Sequence, residues 1–110
     1  MSIFLDVMKE ELERNLYKQG AFQKELNSIP KGYISICIIN GKKYVYRKRR
    51  DGDKIVSEYI GVPGDDASNK AYKEREKYLS IKESLNNLKK EEIKLRRAIK
   101  GYEKLWNGNE

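Results

Sequence analysis

The spacing of apolar positions changes twice along the chain, and each change marks a new element. Near the start, Leu5, Met8, Leu12, Leu16, Phe22 and Leu26 fall at helical spacing, the stripe of an amphipathic helix over residues 1–28. Ser2 is placed to cap it, and Asp6, Glu10, Glu11 and Glu13 lie toward the end where the helix dipole favours acids. Gly20 is a weak point. Asn27-Ser28 and Ile29-Pro30 stop the helix, because a residue before proline is pushed out of the α region. From Lys31 to Gly61 the period becomes two. Asn40-Gly41 and Asp51-Gly52 are strong hairpin signals between β-branched and aromatic runs, and they suit type I′ turns. The pattern predicts an antiparallel meander with strands near 33–39, 42–50 and 54–60.

After Gly61-Val62-Pro63-Gly64 the helical period returns, with Asp65, Asp66 or Ser68 as cap. Tyr78, Ile81, Leu85, Leu88, Glu92, Leu95, Ile99, Tyr102 and Trp106 fall on alternating steps of three and four, a heptad seam. Glu92 stands where an apolar residue is expected, so it calls for a nearby Lys or Arg or for a gap in the partner. A helix of this length spans about 60 Å, which predicts that part of it projects, packs on the first helix or pairs with a second copy. The expected fold is α+β in one domain over 1–110: an N-terminal amphipathic helix, a three-stranded antiparallel β-meander over 31–61, and a long coiled-coil-like helix over 66–107.

Strand parity sorts the meander into two faces. One carries Tyr33, Ser35, Cys37, Ile39, Tyr44, Tyr46, Lys48, Arg50, Ile55, Ser57 and Tyr59. The other carries Ile34, Ile36, Ile38, Val45, Val56 and Ile60, with Lys43, Arg47 and Glu58 among them. The aliphatic face is expected to hold the core, with both helices packed on it through Ile34, Ile36, Val45 and Val56.

Charge narrows the function. With 24 Lys and Arg against 17 Asp and Glu the chain is at +7, which suits a polyanion or an acidic protein surface as partner. The excess sits on the sheet and the long helix, above all in Arg47-Lys48-Arg49-Arg50 and between Lys94 and Lys100. There is no histidine and a single cysteine, so the usual neutral-pH base and ordinary zinc sites are missing. No phosphate-binding glycine loop, nucleophile elbow or calcium loop is present. Cys37, in mid-strand, reads as structural. The expectation is a non-enzymatic protein without metal or cofactor. The start lacks the features of a signal peptide and no apolar run is long enough to cross a bilayer, pointing to a cytoplasmic location without membrane contact.

Candidate binding residues are Tyr33, Tyr44, Tyr46 and Tyr59, as stacking groups, with Arg47, Lys48, Arg49, Arg50 and Lys54 as phosphate or acidic-surface contacts. The competing reading buries the tyrosines under the long helix with their hydroxyls at the rim. Ile29-Pro30-Lys31-Gly32, Gly41-Lys42-Lys43-Tyr44-Val45-Tyr46 and Ser57-Glu58-Tyr59-Ile60-Gly61 resemble a pattern in short proteins of bacterial and phage mobile elements. That pattern reads Pro-Lys-Gly, Gly-Lys-x-Tyr-x-Tyr and Ser-x-Tyr-Ile-Gly, and a charged coiled helix follows it. The resemblance implies the meander and no particular activity. A three-stranded sheet also resembles, more weakly, the DNA-reading domain of some tyrosine integrases. Three roles follow as expectations: a nucleic-acid or nucleoprotein binder, an anti-CRISPR-like inhibitor of a bacterial defence protein, or a coiled-coil homo-oligomeric adaptor.

Overall fold

A computed structural model describes residues 2–107, apart from the side chains of Trp106 and Asn107. The element order is α1 (Ile3–Ser28), β1 (Tyr33–Ile39), β2 (Lys42–Asp51), β3 (Lys54–Gly61) and α2 (Asp66–Asn107). The architecture is therefore α+β, with one antiparallel sheet in the order β1-β2-β3. The described residues form two compact units, one from residues 2–26 with 81–107 and one from Asn27–Ser80.

The first unit is a pair of antiparallel helices. Ser2 caps α1, its Oγ accepting from the Leu5 amide at 3.4 Å and donating to the Tyr102 hydroxyl at 2.8 Å. Further along, Asn15 Nδ2 donates to the Leu88 carbonyl at 2.9 Å, which fixes the opposite directions of the two helices. On α2, Ile81, Leu85 and Ile99 are buried, with Leu88, Leu95 and Tyr102 half-buried, as the heptad predicts. Trp106 lies outside the described side chains. Tyr78 falls in the other unit, where the Arg75 guanidinium lies 5.2 Å from its ring centre.

The buried face of α1 is not quite the one its leucines suggest. Leu16 is exposed and Asn15 is buried in its place. The seam runs Leu5, Met8, Leu12, Asn15, Gln19, Phe22 and Leu26 in unbroken steps of three and four. Two polar residues in mid-stripe hide that regularity from a count of apolar positions. They face the polar position on α2: Gln19 Nε2 donates to Asn15 Oδ1 at 2.6 Å and to Glu92 Oε1 at 2.8 Å, while Arg96 Nε donates to Glu92 Oε2 at 2.7 Å. The hydrogen bonds from Arg96 and then Gln19 hold the Glu92 carboxyl below its ordinary range. Glu92 thus has the cation its position calls for.

The second unit is the sheet with residues 27–32 and the first turns of α2. Tyr33 pairs with Lys48, Ser35 with Tyr46, Cys37 with Tyr44 and Ile39 with Lys42, the register that a two-residue turn at Asn40-Gly41 dictates. Both turn residues have positive φ, at 51° and 79°. The second turn differs from expectation. β2 runs on to Asp51, which pairs with Lys54, so Gly52 and Asp53 are the central residues. Only Gly52 has positive φ, at 62°, the arrangement of a type II′ turn with glycine first. A bulge follows on β3, where Tyr46 pairs with Tyr59 but Val45 with Gly61, leaving Ile60 as the extra residue.

The aliphatic face meets α2, and the small buried residues Ser68 and Ala71 allow close approach. Val45 on the central strand is fully buried at 0 % exposure. Cover does not extend across the whole face: Ile36 is 50 % and Ile38 67 % exposed. The expectation that Ile36 anchors the core is corrected accordingly. Within this unit a single helix segment meets the sheet, and a helix with its side chains is only about 10–12 Å across. It reaches Arg47 through Glu74 but leaves the Asn40-Gly41 end of the sheet bare.

Two stability measurements check this account. Val45→Ala is expected to lower the unfolding free energy by about 2–3 kcal/mol, two lost methyl groups plus their cavity, and Ile36→Ala by only about 1 kcal/mol because half the side chain is already in water. Equal losses in urea unfolding would show that α2 covers the whole face. In the helical unit, Asn15→Ala should cost about 1–2 kcal/mol through a lost hydrogen bond and a small cavity, whereas Asn15→Leu, by refilling the seam, should recover most of that in the thermal midpoint.

Candidate functional site

The chain enters and leaves the sheet through two fixed backbone devices. At the entry, Gly32 has φ of +115°, and a Cβ there would stand 2.5 Å from the Lys48 carbonyl oxygen. Only glycine lets β1 start this close to β2. The Gly32 carbonyl then accepts from Arg75 Nη1 of α2 at 2.8 Å. At the exit, Gly61 is buried with the Asp65 carboxylate lying where a Cβ would go. That carboxylate caps α2: Oδ1 accepts from the Ser68 amide at 2.7 Å and Oδ2 from the Val62 amide at 3.0 Å. These bonds, the Ser68 one foremost, hold the Asp65 carboxyl below its ordinary value. Of the three residues named as caps from sequence, Asp65 takes the part.

With both ends pinned, the parity of the strands is fixed and the basic run divides. Arg47 and Arg49 point to the α2 side, Lys48 and Arg50 to the tyrosine side. Arg47 is structural in its contacts. Its side chain is only 14 % exposed and it bridges Glu74 of α2, 3.3 Å away, and Glu58 of β3, 3.7 Å away. Arg49 is exposed on that same side, and Lys54 sits there too, opposite Asp51. The nine candidate residues are therefore not one surface. Tyr33, Tyr44, Tyr46, Tyr59, Lys48 and Arg50 share a face; Arg47, Arg49 and Lys54 do not.

On that shared face the tyrosines are open rather than roofed by α2. Tyr59 is 55 % and Tyr33 47 % exposed, and Ile39 and Ile55 are exposed as well. Tyr44 and Tyr46 are half-buried, largely against Tyr59. The Tyr46 and Tyr59 ring centres are 5.6 Å apart at 68°, and those of Tyr44 and Tyr59 6.3 Å apart at 58°. Lys42, opposite Ile39, joins this face at the first turn, where the Asn40-Gly41 register puts it. No aspartate or glutamate occupies any strand position on this side. Both strand carboxylates, Asp51 and Glu58, lie on the other. The tyrosine face is thus cationic at both ends, aromatic in the middle and free of acids.

The family model described as Domain of unknown function (DUF6788) matches residues 5–68, more than half of the 110-residue chain. The chain belongs to this family. The DUF6788 match takes in α1 from Leu5 on, the whole sheet, Gly32 and Gly61, and it ends at Ser68, the residue whose amide Asp65 caps. No curated protein and no solved structure matches the chain. Among the described residues of this DUF6788 protein, no group of three or more His, Cys, Asp or Glu side chains is placed to hold a metal ion. None of its described helices is long and apolar enough to cross a membrane. Cys37 is a free, half-buried thiol on the tyrosine face.

The lowered Asp65 value sets a pH dependence. Its contribution to stability is complete above the ordinary carboxylate pKa of about 4 and disappears as pH falls through the lower folded-state value. Asp65→Asn keeps a capping oxygen but no titration, so its thermal midpoint should fall less than the parent's between about pH 4 and pH 2. Parallel acid profiles for the two proteins would show that the carboxylate charge adds nothing to the cap.

Proposed function

We propose that this is a non-enzymatic nucleic-acid-binding protein that holds its partner on the tyrosine face of the sheet. The observation that carries the reading is the segregation of charge. The α2 side of the sheet takes both strand carboxylates and neutralises Arg47 with Glu58 and Glu74, while Lys42, Lys48 and Arg50 stand among exposed tyrosines with no acid on their own face. Like charges kept together on one surface repel unless a polyanion offsets them. Cations that meet phosphates beside rings that meet bases are the combination nucleic acid rewards. The partner is a nucleic acid or a nucleoprotein, and the motif resemblance favours a phage or mobile-element setting in a bacterial cell. The seam of α2 has α1 as its partner within the chain, which lessens the case for a homo-oligomeric adaptor.

The test is the salt dependence of binding. Each phosphate neutralised contributes about 0.9 to the log–log slope on duplex and about 0.7 on single strands. Replacing Lys48 and Arg50 together by Gln is expected to flatten the slope by roughly 1.4–1.8 units. The charge-matched pair Lys43 and Arg49, on the other face, should change it far less when replaced in the same way. Equal effects from the two pairs would mean that net charge, and not this face, carries the binding. If the unaltered protein is retained on neither DNA nor RNA at low salt, the reading fails and an acidic surface of a bacterial defence protein becomes the better candidate for the same cations.

A further inference from the structure

We propose that the tyrosine face takes single-stranded nucleic acid, with bases laid on its rings, and does so with little regard to base identity. This rests on the nucleic-acid reading above and narrows it. Base pairs in a duplex are stacked on both sides and offer a protein only their edges. A surface that reads those edges needs Arg, Lys, Asn or Gln reaching out from its middle. The central row of this face, Ser35, Tyr46 and Tyr59, holds none; Cys37 and Tyr44 lie on one side of it and Tyr33, Lys48 and Ser57 on the other. The cations lie toward the ends, Lys42 beside the first turn and Arg50 by the second, with Lys48 one row in from Arg50.

The geometry of the rings points the same way. Tyr59 meets Tyr46 at 68° and Tyr44 at 58°, so the rings touch by edges and tilts and none is sandwiched face to face with another. An edge-to-face contact covers a face of one ring in a pair, and Tyr59, exposed as it is, keeps ring surface open to a planar guest. On β1 the neighbours of the β2 tyrosines are small: Ser35 beside Tyr46 and Cys37 beside Tyr44. Small side chains next to large ones leave the rings standing above the sheet. Rows on this face repeat every two residues, so from Lys42 to Arg50 the surface runs about 27 Å. That is room for a few bases with a phosphate contact at each end. A single strand fits this layout because its bases can splay onto the rings while its backbone passes the cations.

The experiment is anisotropy titration of the full chain with labelled strands of one length at matched salt: single-stranded DNA, single-stranded RNA, each in two base compositions, and the corresponding duplex. Either single strand is expected to bind at least about tenfold more tightly than the duplex, with the two compositions alike. DNA and RNA strands are separate arms because the stacked base is common to both. Tyr59→Ala should weaken single-strand binding by about 5- to 150-fold without altering the salt slope, and Tyr59→Phe, which keeps the ring, should bind like the parent. Tyr59 is exposed, and an unchanged thermal midpoint in both variants confirms that binding and not folding is read. Duplex bound as tightly as either single strand overturns this inference and leaves the broader reading standing. So does a Tyr59→Phe loss equal to that of Tyr59→Ala, which would assign the contact to the hydroxyl. Absence of binding to every strand overturns both.

Discussion

A three-stranded sheet has two faces, and the sheet unit of this chain brings one helical segment to them. Everything distinctive about the surface follows from which face α2 takes. It takes the side with Val45, because Ser68 and Ala71 are small enough to let helix and strand approach until Val45 is sealed. Closing that contact draws Arg47 in against Glu58 and Glu74. A guanidinium taken this far from water is held there by two carboxylates, since an unpaired one would be costly. The acids of the sheet are thereby committed to the covered side. The tyrosines and the remaining cations are left facing out.

Two glycines, Gly32 and Gly61, hold that choice in place. Gly32 admits the Lys48 carbonyl at a distance no side chain tolerates, and Arg75 then ties the same glycine to α2. Gly61 leaves the space that the Asp65 carboxylate fills while it caps α2. One device fixes where the sheet begins and the other fixes how the chain turns from strand to helix. Between them the register of β2 cannot slip by a residue, and a slip of one would exchange the two faces. The DUF6788 match takes in Gly32, Gly61 and Asp65, and Arg75 lies beyond it.

The helical unit uses polarity for a similar end. Apolar heptads alone permit several alignments of two helices. Here Asn15 reaches the Leu88 carbonyl, and Gln19 reaches Glu92, which Arg96 also holds. Sliding one helix by a heptad would offer Asn15 another backbone carbonyl but would part Gln19 from Glu92. Two amides and a carboxylate in mid-seam lower the apolar area available to the contact and, in exchange, select one alignment of α1 on α2.

Local signals determined most of the fold. Proline and glycine punctuation placed the element ends, the Asn40-Gly41 turn set the first register residue by residue, and parity assigned every strand position on β1 and β2 to its face. Those are short-range effects, decided within a few residues of backbone. The sequence by itself also put tyrosines and cations on a common face. It did not decide whether that face is open, because this depends on how much of the sheet one helix can cover. Nor did it separate Arg47 from Arg50 in function: a run of four cations reads alike until α2 brings Glu74 to one of them. Asn15 was hidden for the same reason, since a buried polar residue looks like a surface one until the partner helix supplies its hydrogen bond. Charge and period are written along the chain, but burial belongs to pairs of elements, and only tertiary packing makes the pairs.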